Sequence, residues 1–132
     1  MTTSGPVLLV DDDIQFVESM ARRLQRRELT VETAFSGEEA LERLDSNKDI
    51  DVVIMDVSMP GMGGITALSK IRQQFPSVEV IMLSGHGMVE DAMQGIKLGA
   101  FDYLLKPCDM PELVSRVRQA RINTEIKRKT SA

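Results

Sequence analysis

Four short clusters in this chain carry side chains able to do metal or phosphoryl chemistry. Asp11, Asp12 and Asp13 follow the apolar run Val7–Val10. Asp56 follows Val52–Met55 and leads into the loop Ser58-Met59-Pro60-Gly61-Met62-Gly63-Gly64. Ser84-Gly85-His86-Gly87 follow Val78–Leu83, and Lys106-Pro107 follow Tyr103–Leu105. If the apolar runs are adjacent strands, Asp11, Asp12 and Asp56 become close neighbours. Two carboxylates about 4 Å apart repel by roughly 4 kcal/mol at an effective dielectric of 20, so such a cluster must hold protons or a cation. Oxygen ligands without His or Cys suit Mg²⁺, which keeps several waters and takes one or two carboxylates plus phosphate oxygens. An Asp can attack phosphorus and form an aspartyl phosphate. Lys106 would bring positive charge to the phosphoryl oxygens and Ser84 a hydroxyl donor. An acidic residue after a strand is also a common helix cap, which is the reading for Asp13.

The elements that must position these groups are legible in the hydrophobic pattern. Five apolar runs, Val7–Val10, Val31–Phe35, Val52–Met55, Val78–Leu83 and Tyr103–Leu105, alternate with five helical stripes. Several runs are continuously apolar, as in a parallel sheet covered on both faces. The stripes are Ile14, Val17, Met20, Ala21, Leu24; then Ala40, Leu41, Leu44; then Ile65, Leu68, Ile71, Phe75; then Val89, Ala92, Met93, Ile96; then Leu113, Val117, Ala120. Each has the 3.6-residue period of an amphipathic helix. Ser36 with Glu39, and Asp109 with Glu112, have the spacing of capping boxes. Pro76 and Gly99-Ala100 punctuate helix ends. Strand–helix alternation implies right-handed crossovers. The expected fold is α/β: a doubly wound five-stranded parallel sheet, order 2-1-3-4-5, with helices on both faces. In such sheets ligands bind outside the carboxyl ends of the strands, where the four clusters fall.

Composition bounds the rest. A chain of 132 residues, 42% hydrophobic, suits one domain with a real core. Residues 1–122 read as that domain and 123–132 as a helix end, linker or tail. No run approaches the roughly 20 apolar residues of a membrane span, and the N-terminus lacks the pattern of a signal peptide. A single cysteine, Cys108, excludes an internal disulfide and suits a reducing, cytoplasmic setting. Net charge is −4, divided into −8 over residues 1–110 and +4 over 111–132. The acidic body is a poor nucleic-acid binder. The basic tail suits either a solvated final helix or contact with an acidic partner.

Val10-Asp11-Asp12, Asp56-Val57-Ser58-Met59-Pro60-Gly61-Met62-Gly63-Gly64, Ser84-Gly85 and Lys106-Pro107, in this order, resemble the response-regulator receiver family of two-component signalling. The resemblance runs from about residue 6 to 122. Each piece alone is weak; the ordered set is specific. It implies a phosphoacceptor signalling domain rather than an enzyme acting on an external substrate. Asp56 would take a phosphoryl group from a sensor histidine kinase or phosphotransfer protein. Asp12 would ligate Mg²⁺ directly and Asp11 through water, with Asp56 and the backbone carbonyl of Ser58 completing the protein ligands. Lys106 would pair with the phosphoryl group, and the Lys106–Pro107 bond would be cis. Ser84 and Tyr103 match the family's switch hydroxyl and switch aromatic, Ser standing for the commoner Thr. The resemblance further implies an output face built from the fourth helix, fifth strand and fifth helix. That face would act on an output domain, a downstream protein or a second copy. Ser84–Pro107 resembles receivers of enhancer-binding activators and hybrid kinases.

Other residues keep plainer readings. His86 and Gly85 stand at the rim of the expected site, where the residue at 86 tunes phosphoryl loss in the family; an ordinary exposed loop histidine is the favoured reading. Cys108 reads as plain packing or exposure, the nine methionines mostly as core fillers. Gly61–Gly64 is not a phosphate-cradling loop, since Lys70 falls outside the required spacing. A phosphatase of the haloacid-dehalogenase type would need an acid where Ser58 stands. A flavin carrier on this fold fits poorly with one Tyr and no Trp. A phosphorylation-independent binding module of this fold would usually lack one of the acidic pair, the phosphoacceptor or the lysine.

Overall fold

The computed structural model describes residues 5–59, 61–85 and 89–130. Strands β1 (Val7–Val10), β2 (Val31–Ala34), β3 (Val52–Asp56), β4 (Glu79–Ser84) and β5 (Asp102–Leu105) alternate with helices α1 (Ile14–Gln25), α2 (Gly37–Ser46), α3 (Gly64–Gln74), α4 (Val89–Lys97) and α5 (Met110–Thr130). All four strand pairings are parallel and the order is β2-β1-β3-β4-β5, as expected from the alternation. Expected and observed strand limits differ by one residue at five of the ten ends, because apolar runs do not mark where ladder bonding starts or stops.

Side-chain alternation along the strands builds two cores. Leu8, Val10, Val53, Met55, Val80 and Met82 meet α2, α3 and α4 on one face. Val7, Leu9, Val52, Ile54, Ile81 and Leu83 meet α1 and α5 on the other. Both faces of β1, β3 and β4 are therefore dry, which is why β1 and β3 read as apolar runs and β4 as one broken only by Glu79.

Two of the helical stripes are less buried than their period suggests. Ile14, in the first turn of α1, is 54% exposed, and Met93 and Ile96 of α4 are also exposed. Helix α4 docks through Ala92 and Gly95 instead. A Cβ on Gly95 would meet Met82 at 3.4 Å and Leu68 at 3.6 Å, so the small residue lets the helix lie close to the sheet. Caps follow the sequence signals at α1 and α2. The Asp13 carboxylate accepts from the Phe16 N–H at 3.1 Å. Ser36 Oγ accepts from the Glu39 N–H, and Glu39 accepts from the Phe35 N–H, a box one residue wider than the usual one.

Helix α5 runs on through Thr130, past the boundary near 122 read from the sequence. Its last turns are tied to the amino ends of β3 and β4. Arg121 forms a bidentate pair with the buried Asp51 and donates to the Gly5 carbonyl. Thr124 Oγ1 donates to the Asp51 carbonyl, Asn123 and Lys127 reach the buried Glu79, and Arg128 donates to the Ile50 carbonyl. Three of the basic residues at the chain's end are thus turned onto its own acidic residues and carbonyls.

Candidate functional site

The register of the ladder carries the chemistry to one place. Val10 pairs with Met55, Asp56 with Leu83, and Ser84 with Leu105. The next residue along β1 is Asp11 and along β5 is Lys106, so Asp11, Asp56, Ser84 and Lys106 emerge at the carboxyl end of four adjacent strands. The Lys106 N–H donates to the Ser84 carbonyl at 2.8 Å, and the Asp11 N–H to the Ala34 carbonyl at 3.2 Å. The Lys106–Pro107 peptide is cis.

Asp11, Asp12 and Asp56 present carboxylate oxygens that all lie within 4.8 Å of one another. Asp11 and Asp56 are buried, whereas Asp12 is exposed. Lys106 Nζ stands 2.7 Å from Asp11 and 3.4 Å from Asp56. Burial, and next the charge of Asp11, pushes the Asp56 carboxyl above its usual range, with Lys106 only partly offsetting them. For Lys106, burial disfavours the charge, but the hydrogen bond to Asp11 and the charges of Asp56 and Asp11 outweigh it and raise its pKa. One ammonium against three carboxylates leaves an excess of negative charge in a partly dry site. An all-oxygen donor set with that excess fits a hard divalent cation such as Mg²⁺. Among the described residues no other group of three such side chains is gathered this closely.

The loop after β3 is shaped by glycine. Gly63 has φ +78°, a left-handed conformation that a side chain would strain, and a Cβ on Gly64 would fall 2.3 Å from the Asp56 carbonyl. Helix α3 can therefore start immediately beside the strand end that carries Asp56. Ser58 lies exposed in this loop.

The remaining expected residues fall as follows. Ser84 is fully buried, its hydroxyl donating to the Gly85 carbonyl at 3.3 Å. Tyr103 is half-buried on the face of β5 shared with α2, α3 and α4. Gly85 is half-buried at the rim, with open space where a Cβ would point. His86 lies outside the described residues. Asp13 caps α1 and its N–H donates to Asp11. Cys108 is half-buried against the α1–α5 core, where burial pushes its thiol pKa up, in keeping with a packing role. One participant escaped the sequence reading: the Phe16 ring, whose centroid lies 4.4 Å from Lys106 Nζ. Its place in the first turn after Asp13 was the available signal.

Residues 7–118 match the family described as the response regulator receiver domain. Two curated relatives are the transcriptional regulatory protein PrrA of Mycobacterium tuberculosis, 38% identical over 88% of this chain and 49% of its own length, and the DNA-binding transcriptional regulator NtrC of Escherichia coli, 40% identical over 88% of this chain and 24% of its own length. The chain thus spans about half or a quarter of the curated relatives it matches. A solved receiver-domain protein from Clostridium thermocellum superposes with a TM-score of 0.88 at 32% identity, covering 92% of this chain and 98% of the other. The site described above and these matches agree: the chain belongs to the response-regulator receiver family, the signalling domains of two-component systems. Among the described residues, no helix is long and apolar enough to cross a membrane.

Proposed function

We propose that Asp56 is the residue that accepts the phosphoryl group, from the phosphohistidine of a sensor kinase or phosphotransfer protein. The observation that carries the reading is a buried Asp56 facing Asp11 and Asp12, with Lys106 Nζ at 3.4 Å. A carboxylate oxygen of Asp56 attacks phosphorus, the bond to the donor nitrogen breaks, and an aspartyl phosphate results. Lys106 pairs with the phosphoryl oxygens as charge builds on them. Asp12, Asp56 and the Ser58 carbonyl, with Asp11 through water, would hold Mg²⁺, which would supply neutralising charge beside the phosphoryl oxygens. Water later hydrolyses the acyl phosphate within the same site, so the domain catalyses only its own modification and its reversal. Gly85, half-buried at the rim with open space where a Cβ would point, leaves that side of the site open to water.

The signal leaves through Ser84 and Tyr103. Phosphorylation adds about −1.5 to −2 charge. The new oxygens draw in the Ser84 hydroxyl, whose present acceptor is only a neutral carbonyl at 3.3 Å. Tyr103 then turns inward against the α3–α4 side and reshapes the face of α4, β5 and α5. Exposed Met93, Ile96, Leu98 and Leu105 lie on these elements and the α4–β5 connection, which suits recognition of an output domain, a downstream protein or a second copy. The domain itself does not bind nucleic acid, and its working compartment is the cytoplasm. Titration with beryllofluoride and Mg²⁺ tests the reading. Stoichiometric binding that requires Mg²⁺ and is lost in Asp56→Asn is expected; binding retained in that variant would refute it.

A further inference from the structure

Lys106 is held from three sides, and only two of its partners are carboxylates. Its ammonium lies 2.7 Å from Asp11 Oδ2, 3.4 Å from Asp56 Oδ1 and 4.4 Å from the centroid of the Phe16 ring. These contacts close a loop that begins and ends at Asp11. Asp11 Oδ1 accepts from the Asp13 N–H at 3.0 Å, and Asp13 Oδ1 accepts from the Phe16 N–H at 3.1 Å. The Phe16 ring carries the ammonium, which donates to the second oxygen of Asp11. The same carboxylate therefore holds the ammonium and, through the α1 cap, sets the position of the ring beneath it. Phe16 is half-buried against the α1–α5 core, so the ring is anchored.

In this arrangement Asp11, at the shorter distance, has the stronger claim on Lys106. A phosphoryl group on Asp56 needs that ammonium, and taking it breaks the bond to Asp11. A carboxylate bond is lost once the donor moves by an ångström or so, whereas a ring face attracts a cation over a broad area. An aliphatic residue at this position would fill the space without supplying the negative face. We propose that Phe16 is a positioning residue for phosphoryl transfer: its ring keeps the Lys106 ammonium within reach of Asp56 when Asp11 releases it. The inference rests on the reading of Lys106 as the phosphoryl-pairing cation.

Beryllofluoride affinity at saturating Mg²⁺ tests it, measured for the wild type, Phe16→Leu, Phe16→Tyr and Lys106→Ala. Phe16→Leu should weaken binding about threefold to tenfold, the scale of one partly desolvated cation–π contact, and Phe16→Tyr should restore it. The ε-methylene protons of Lys106 should show a ring-current shift in the wild type and Phe16→Tyr that disappears in Phe16→Leu, which places the ring against the ammonium in solution. In the Lys106→Ala background, Phe16→Leu should have no further effect. An equal loss in both backgrounds would mean that Phe16 acts by another route, and the proposal falls. If Lys106→Ala weakens binding and Phe16→Leu does not, the positioning role alone is overturned. If Lys106→Ala binds as tightly as the wild type, the reading of Lys106 fails and takes the proposal with it. Should Phe16→Leu not fold, pentafluorophenylalanine at position 16 keeps the shape and reverses the ring's polarity. Weakened binding would then support the proposal, and unchanged binding would overturn it.

Discussion

Replacing Asp56 with Asn should stabilise the metal-free protein at neutral pH. The carboxylate oxygens of Asp11, Asp12 and Asp56 lie within 4.8 Å of one another, and at an effective dielectric of about 20 each pair at that limit repels by about 3.5 kcal/mol. Lys106, 3.4 Å from Asp56, returns about 5 kcal/mol on the same scale. The repulsion from exposed Asp12 is reduced by solvent, so the charge terms on Asp56 nearly cancel. The cost of burying its charge is left over, consistent with a carboxyl pKa raised first by burial and then by Asp11. A pKa higher in the folded than in the unfolded chain means that folding favours the protonated carboxyl. Ionised Asp56 therefore costs stability above the folded pKa, and that cost disappears as pH falls below the unfolded value near 3.9. Asn, neutral and similar in shape, should gain about 1–2 kcal/mol at pH 7, a rise in Tm of about 4–8 °C. Mg²⁺ should reverse the order, since a ligand at a hundred times its Kd adds about 2.7 kcal/mol to the form that binds it. Thermal unfolding of both proteins in chelator and in Mg²⁺, at neutral and acid pH, measures all of this. An Asn variant less stable than the wild type in chelator at neutral pH would refute the reasoning.

Three further outcomes follow from the structure. Asp12→Ala should lose Mg²⁺ affinity far more than Asp13→Ala, whose carboxylate is committed to the Phe16 N–H; Mg²⁺ titrations followed by NMR compare them, and Asp13→Ala should instead lose about 1 kcal/mol of stability. Arg121→Ala should leave phosphorylation intact but cost about 3–5 kcal/mol, because it strands Asp51, which is buried with 4% exposure; denaturant unfolding reads the loss. Ser84→Ala should still take up a phosphoryl group, yet amide exchange across α4, β5 and α5 should respond weakly to beryllofluoride; a full response would remove Ser84 from the switch.

Most of the fold was legible because each layer announced itself in a separate pattern. The buried strands β1 and β3 read as continuous apolar runs and β4 as one broken only by Glu79, and the residue one step past each run was the reactive one. That step could be read without coordinates because parallel ladders align strand ends, so Asp11, Asp56, Ser84 and Lys106 had to converge. Less could be read where a polar residue acts through tertiary contact. Thr124, Asn123 and Arg121 look like a solvated helix end until Asp51 and Glu79 are seen beneath them. Exposed Met93 and Ile96 share a period with the buried Ala92, and helical periodicity cannot tell a broad apolar face from a narrow contact line made by Ala92 and Gly95. The place of Phe16 in the first turn after Asp13 was a weak signal, because it says nothing of a cation–π contact with a residue 90 positions away.

The central claim, that Asp56 takes the phosphoryl group, is tested most directly by intact-mass analysis after incubation with acetyl phosphate and Mg²⁺. The wild type should gain a single phosphoryl group that chelation of Mg²⁺ prevents, and Asp56→Asn should gain none. A phosphorylated Asp56→Asn protein, or a wild type that stays unmodified with Mg²⁺ bound, would contradict the account.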